Sequence, residues 1–296
     1  MATWYAANSN LIDTIGLNAL LALSLYVMLA CGQLSLASPA YMGVGGYSAA
    51  LLTIHQRLSL PAELVIGMTI STVVAFLLGL PLLRLRGVYL AIATVGFVAV
   101  TQVFFTNWTF GGGGQGTPFI PSATTTWEIW LALGLLCYFL WRLEGSAVGR
   151  NFAAIRQDEA VARSLGINTV AYKLAAFAFS GLVAGLAGVL YARLHFFIQP
   201  QTFDIGVGLD ALTYVVVGGS LTWAGSPLGA LLLTNLPEWL RPLGTWRGIG
   251  DGIVLLAVIL FLPGGLVELP RRLLNLRRRV RRGYRIDYRE REGSGV

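Results

Sequence analysis

Lys173 is the only lysine in this chain, and it follows Ala171 and Tyr172 instead of a glycine loop. No G-x-x-x-x-G-K-[ST] phosphate cradle therefore exists, even at the glycine-rich Gly111 to Gly116, which excludes ATP hydrolysis by a P-loop mechanism within the chain. Of the two histidines, His55 and His195, neither belongs to an H-E-x-x-H zinc site, and no G-x-S-x-G nucleophile elbow occurs. Cys31 and Cys137 are the only cysteines, lie far apart and form no C-x-x-C, so they read as small apolar fillers. Charge is scarce as well, at 12% of residues, and the first 56 residues hold no Lys or Arg. That argues against a cleavable signal peptide with a basic n-region and for a first apolar run that stays.

What the chain has instead is apolar length. Hydrophobic residues make up 55% of it, with a mean hydropathy of +0.68, which places it among polytopic membrane proteins. Crossing the hydrocarbon takes roughly 20 apolar residues. Candidate spans are Leu11–Ala30, Leu34–Ile54, Ala62–Leu83, Val88–Thr106, Trp127–Trp141, Val170–Ala192, Val207–Leu221, Pro227–Leu240 and Ile249–Leu269. Some are short or broken by Gly and Pro, so the expectation is an all-α membrane protein of about 8–10 transmembrane helices, one membrane domain over 1–269 and a basic tail over 270–296.

The basic residues set an expected orientation. With the amino terminus outside, nine spans put Arg84, Arg86, Arg142, Arg150, Arg156, Arg163, Lys173 and the ten arginines from Arg271 onward on one side, 17 of 21. Only Arg57, Arg193, Arg241 and Arg247 fall opposite, so the positive-inside bias makes the larger set cytoplasmic. In the tail, Leu273, Leu274, Leu276 and Val280 interleave with arginines as in an interfacial helix on anionic lipid. That accounts for the net charge of +7 better than nucleic acid does.

One polar island, Gly149 to Lys173, interrupts the apolar runs. A cation at the bilayer centre costs roughly 2.5–3.5 kcal/mol on insertion scales, so Arg150, Arg156 and Arg163 lie outside the hydrocarbon. The spacing of Phe152, Ile155, Ala162 and Leu165 predicts one amphipathic helix, stopped by Gly166, with Asn168 or Thr169 capping the next. Such a helix is either a docking element or a loop lying on headgroups.

Glycines cluster at Gly43, Gly45 and Gly46, at Gly181, Gly185 and Gly188, and at Gly218 and Gly219. They serve either close helix packing or broken helices lining a path. Gln33, Ser35 and Ser38 precede the first cluster, Thr101 and Gln102 sit late in a span, and Asp210 reads as an interfacial acid or cap.

GQLSLASPAYMGVGGYSAALL, LRLRGVYLAIATVGF, TFGGGGQGTPFIP, the island and VVVGGSLTWAGSPLGALLL with the later FLPGGLVE occur in this order from Gly32 to Glu268. Together they resemble the LivM-type inner-membrane permeases of branched-chain amino acid ABC importers. The resemblance implies a transport subunit, not an enzyme, that binds no cofactor. Its implied partners are a second, LivH-like permease, two cytoplasmic ATP-binding subunits that use ATP and Mg, and a periplasmic substrate-binding protein. It implies a coupling loop over about 142–173, in which Arg150, Ile155, Arg156, Asp158, Glu159, Arg163 and Gly166 engage the ATPase. It also makes Gln33, Ser35, Ser38, Tyr41, Gly45, Tyr47 and Gln102 candidates for the solute path. Two departures bear on the solute. Ala37-Ser38-Pro39-Ala40 stands where the family usually has Gly-His-Ala-Ala, adding a proline expected to bend the helix, and Leu221 replaces a glycine. Urea, short amides and other small polar solutes are carried by related permeases.

Overall fold

The computed structural model describes residues 2–56, 59–85, 87–117, 125–240, 252, 256, 260 and 265–268. The described residues form ten α-helices: α1 (Ala2–Ala30), α2 (Ser38–Gln56), α3 (Leu60–Leu82), α4 (Val88–Asn107), α5 (Thr126–Glu144), α6 (Ala147–Gln157), α7 (Glu159–Ser164), α8 (Thr169–His195), α9 (Ile205–Gly218) and α10 (Gly225–Trp239). No strand occurs among them; Thr117 and Ile198 make one isolated antiparallel bridge. Most of the last expected span, and all of the basic tail, lie outside the described residues.

Among the described residues, four helices are long and apolar enough to cross a membrane: α1 from Ser9, α3, α4 and α8. The bent pair α5 and α6 raises that to five if it counts as one span. The expected 8–10 spans are therefore not all full-length helices among the described residues. α9 and α10 have only 14 and 15 residues, α9 ending at Gly218–Gly219 and α10 running from Gly225 to Trp239 with Pro237 in its last turn, and α2 is rich in Gly, Ala, Ser and Tyr and sunk among its neighbours.

α8 is the centre. Lipid gives apolar helices no hydrophobic reason to associate, so close van der Waals packing must hold them, and small residues permit it. A Cβ on Gly188 would fall onto the Met42 carbonyl of α2, one on Gly185 onto the Ser71 side chain of α3, and one on Gly181 onto Ala75 of α3. Gly45 faces the Gly185 backbone in the same way. The glycines of α2 and α8 are thus packing positions, and α2 and α3 seat directly on α8. Gly218, Gly225 and Gly229 bring α9 and α10 together by the same device.

Only 22% and 33% of the apolar windows of α3 and α4 are buried, against 78% in α1 and 61% in α8. Val65, Val73 and Leu77 of α3 and Val100, Val103 and Phe104 of α4 therefore form the apolar outside of the bundle.

Arg193, expected at a loop edge, is instead buried in the last turn of α8. Its Nε and Nη2 donate to the carboxylate of Glu63 at 2.6 and 2.8 Å, and Thr53 Oγ1 donates to Glu63 Oε1 at 2.7 Å. Glu63 lies in the first turn of α3, so acid at an N-terminus meets base at a C-terminus and both helix dipoles favour the pair. The pair ties α2, α3 and α8 at one end of the bundle. Sequence alone does not show it, because a lone Glu between Ala62 and Leu64 gives no hint of a partner 130 residues away.

Two substitutions test this packing by thermal melting of the purified protein. Gly188→Val should destabilise by at least ~1–3 kcal/mol through overpacking, whereas Gly134→Ala, with open space around it, should be neutral or stabilising by up to ~1 kcal/mol. For the ion pair, Arg193→Gln should cost about 3–5 kcal/mol, and Glu63→Leu with Arg193→Met should recover most of that.

Candidate functional site

Two features carry candidate function, and they touch. The first follows α1. Gln33 N–H donates to Met28 O at 2.9 Å and Gly32 N–H to Leu29 O at 3.0 Å, with Gly32 at φ +75°. These are the two bonds of a Schellman motif, which only a residue at ease in the left-handed region completes without strain. The chain then runs non-helically through Gln33–Ala37 before α2 begins at Ser38.

This stretch turns back into the bundle. Ser38 Oγ accepts from Ser24 Oγ at 3.3 Å, and Ser24 lies six residues before the end of α1, about 9 Å up its axis. Ser24 Oγ also meets Ser180 O and Oγ of α8, at 2.9 and 3.0 Å. Non-helical backbone at such depth must find partners inside the protein or face a cavity. Leu36 N–H donates to Thr94 Oγ1 of α4 at 3.0 Å, and Ala37 N–H lies 3.4 Å from Ser35 Oγ. Pro39 falls in the first turn of α2, where its missing N–H costs no helical bond, so it starts the helix and does not bend it.

Of the expected path residues, Gln33, Ser35, Ser38, Tyr41 and Tyr47 are all buried. Gln33 Oε1, Tyr41 OH and Tyr47 OH have no hydrogen-bond partner. Buried polar atoms are rarely left so, and each costs about 1–3 kcal/mol unless water or a ligand meets it. Aromatic rings of α4 flank them: Tyr47 stacks on Phe105 at 4.1 Å and Tyr41 lies 6.1 Å from Phe97. Gly45 belongs to the helix contact with Gly185, and Gln102 is half-buried farther along α4.

The second feature is the island, which is two helices and not the one expected. α6 leaves α5 at 72°, and Asp158 interrupts the run at φ −155°, its Oδ1 accepting from Ala160 and Val161 N–H at 2.8 and 3.1 Å. An N-cap aspartate outcompetes continuation of α6 because it satisfies two otherwise unpaired donors. Phe152, Ile155 and Ala162 are buried as their spacing predicts, but Leu165 is 73% exposed, since the break rotates α7. A second Schellman motif ends α7, with Gly166 at φ +83° and Ile167 N–H on Ala162 O, and Asn168 Oδ1 caps α8.

Glu159 is the clasp of this loop. Its carboxylate meets Arg163 of α7, Lys173 Nζ of α8 at 2.7 Å and Thr169 Oγ1 at 3.3 Å, while Arg163 Nε donates to Thr169 Oγ1 at 2.9 Å. Asn151 Nδ2 on Tyr172 OH, at 2.6 Å, ties α6 to α8 as well. Burial pushes the Glu159 carboxyl up, but the hydrogen bond and charge of Lys173, with those of Arg163, outweigh it and hold the group below the usual range. The outer face of the loop carries Arg150, Gln157, Asp158, Val161 and Leu165. Ala153 and Arg156 of α6, Val27 of α1, Leu143 of α5 and Leu221 of the α9–α10 turn line a cavity of about 170 Å³ behind it.

The two features meet at Gly32. A Cβ there would stand 3.0 Å from the Cα of Arg156, so the turn ending α1 rests on the backbone of α6.

Glu159→Ala should loosen α7 from α8 and speed proteolysis or hydrogen exchange in 158–168 while leaving the α2–α3–α8 packing intact. Because the folded Glu159 pKa is depressed, the clasp's contribution is full above the ordinary value of about 4.3 and is lost as pH falls through the folded one. Exchange in the loop should rise only below about pH 4 in the native protein.

No solved structure matches this chain. A curated relative from Salmonella typhimurium, the high-affinity branched-chain amino acid transport system permease protein LivM, is 30% identical over 298 residues, 89% of this chain and 68% of its own length. The protein of the same description from Escherichia coli K12 is 29% identical over 91% of this chain and 70% of its own. The autoinducer 2 import system permease protein LsrC of Escherichia coli O9:H4 is 31% identical over 66% of this chain and 64% of its own. The family model described as branched-chain amino acid transport system / permease component matches residues 9–263, and the chain belongs to that family of membrane permeases.

Proposed function

We propose that the chain is the permease subunit of an ABC importer in a bacterial inner membrane, moving branched-chain or other hydrophobic amino acids by alternating access driven by ATP hydrolysis in partner subunits. The observation that carries this is the α6–α7 loop: a rigid, doubly capped elbow that offers the apolar side chains Val161, 54% exposed, and Leu165 on an otherwise polar face. An isolated channel or secondary carrier has no need of such a surface, whereas a partner groove would cover it. Glu159 acts within the loop, holding its shape, and Val161 and Leu165 with Arg150 and Asp158 meet the ATP-binding subunit.

The partners follow from that reading: two cytoplasmic ATP-binding subunits that supply ATP and Mg, a periplasmic substrate-binding protein, and a LivH-like second permease against the apolar outside of the bundle. The chain itself holds no cofactor. The 17 to 4 distribution of basic residues supports placing the loop and the carboxyl terminus in the cytoplasm. Anionic lipid at the basic tail is part of the same proposal.

A second solute class is favoured by one observation. Gln33 Oε1, Tyr41 OH and Tyr47 OH are polar atoms awaiting partners, which suits a small polar solute such as urea or a short amide as well as the amino and carboxyl groups of an amino acid.

Leu165→Asp should release the ATP-binding subunits from the purified complex while leaving the permease folded, since Leu165 is 73% exposed. Full retention would remove the docking role. In whole cells, Gln157→Cys should be shielded from impermeant thiol reagents and Asn107→Cys should react; the reverse pattern would invert the orientation.

A further inference from the structure

The seat of Gly32 on α6 has a mechanical consequence. α6 is amphipathic, held from behind by Phe152 and Ile155, and bears on the rest of the chain where Arg156 meets Gly32. Gly32 immediately precedes Gln33–Ala37. The backbone of that stretch is held by few bonds: Gln33 N–H on Met28 O within the turn, Leu36 N–H on the Thr94 hydroxyl, the long contact of Ala37 with Ser35, and Tyr41 N–H on Ala37 O at 3.2 Å where α2 begins. Beyond it stand Tyr41 and Tyr47 with their unpartnered hydroxyls. α2 farther on is clamped to α8 through Gly45, Gly46 and Gly188. Between a helix at the bundle's end and a clamped core, the extended segment is the compliant part.

We infer that Gly32 is a positioning residue for transport: it passes displacement of α6 to the re-entrant segment Gln33–Ala37, and so moves Gln33 relative to the fixed Tyr41 and Tyr47. The inference rests on α6–α7 being the docking loop. Two properties suit Gly32 to the task. Its left-handed backbone completes the turn, and its lack of a side chain lets the turn lie on the Arg156 Cα, so that neither can approach without moving the other. Sub-ångström shifts carry through such contacts because packed groups cannot compress.

The test uses the assembled complex with its ATP-binding subunits, and reads hydrogen exchange of the Gln33–Ala37 amides without nucleotide and with ATP plus vanadate. No knowledge of the solute is needed. The native complex should show a nucleotide-dependent change in this segment. Gly32→Asn keeps a residue that tolerates the left-handed region but puts a side chain against Arg156; it should retain the ATP-binding subunits and reduce the nucleotide-dependent change by about tenfold, within the usual range of coupling between sites. A second variant, Gly32→Cys with Arg156→Cys and Cys31→Ala, does not depend on the first. The Cβ at position 32 would lie 3.5 Å from that of residue 156, at the near end of the range of about 3.5–4.5 Å for a disulfide. Because the two residues move as one, the oxidised cross-link should preserve the nucleotide response. The inference is overturned if the native segment does not respond to nucleotide, if Gly32→Asn responds as the native complex does, or if the cross-link abolishes the response. Retention of the ATP-binding subunits by Leu165→Asp would instead sink the docking reading, which separates the two failures.

Discussion

The seating of α2 and α3 on the glycine face of α8 is the contact on which the rest of the structure depends. Lipid removes the hydrophobic drive that would gather these helices in water, leaving close packing and a few polar bonds to do it. The missing side chains of Gly45, Gly181, Gly185 and Gly188 bring backbones into contact, and the buried Glu63–Arg193 pair fixes the same three helices at one end. A body held this tightly does not deform gradually. Movement is left to what is attached less firmly: α4, which touches the core along one face; the non-helical Gln33–Ala37; and the α6–α7 elbow.

Several polar groups within the core are satisfied, as with Ser24, Ser38 and Ser180 or Ser71 on the Tyr41 carbonyl. Gln33, Tyr41 and Tyr47 are not, and neither are Asp13 of α1 and Ser226 of α10. Three of these five groups thus fall in the re-entrant segment and the helix that follows it. The α6–α7 loop lies at the other side of that segment, where the turn at Gly32 meets the backbone of Arg156.

Much of this was legible in the sequence. Apart from α1, which begins at Ala2 and not at the expected Leu11, the described helices of the apolar runs begin and end within a few residues of expectation, because apolar length, Gly and Pro decide those boundaries locally; Gly166 and Asn168 act as the stop and cap their residue types suggest. What depended on distant contacts was not legible. The role of Asp158 hid inside an amphipathic repeat that continued across it. Glu159 was expected to engage an ATPase, and only the fold shows Lys173 meeting it within the chain; Arg193 was expected just past a span on the outer side, and only the fold shows it meeting Glu63. Pro39 could not be told from a helix-bending proline without knowing that Ala37 is outside the helix. Gly45 could line a path or pack a helix, and only the position of Gly185 decides.

The central claim is that this chain conducts solute only under the control of ATP hydrolysed elsewhere. It is tested most directly by reconstituting the permease pair in vesicles with and without the ATP-binding subunits, adding the substrate-binding protein, and following radiolabelled leucine with a panel of small polar amides. The account predicts accumulation against a gradient of at least one of these probes, dependent on ATP, the ATP-binding subunits and the binding protein together, and no flux when any is omitted. Equilibration of the same probe through the permeases alone would contradict it.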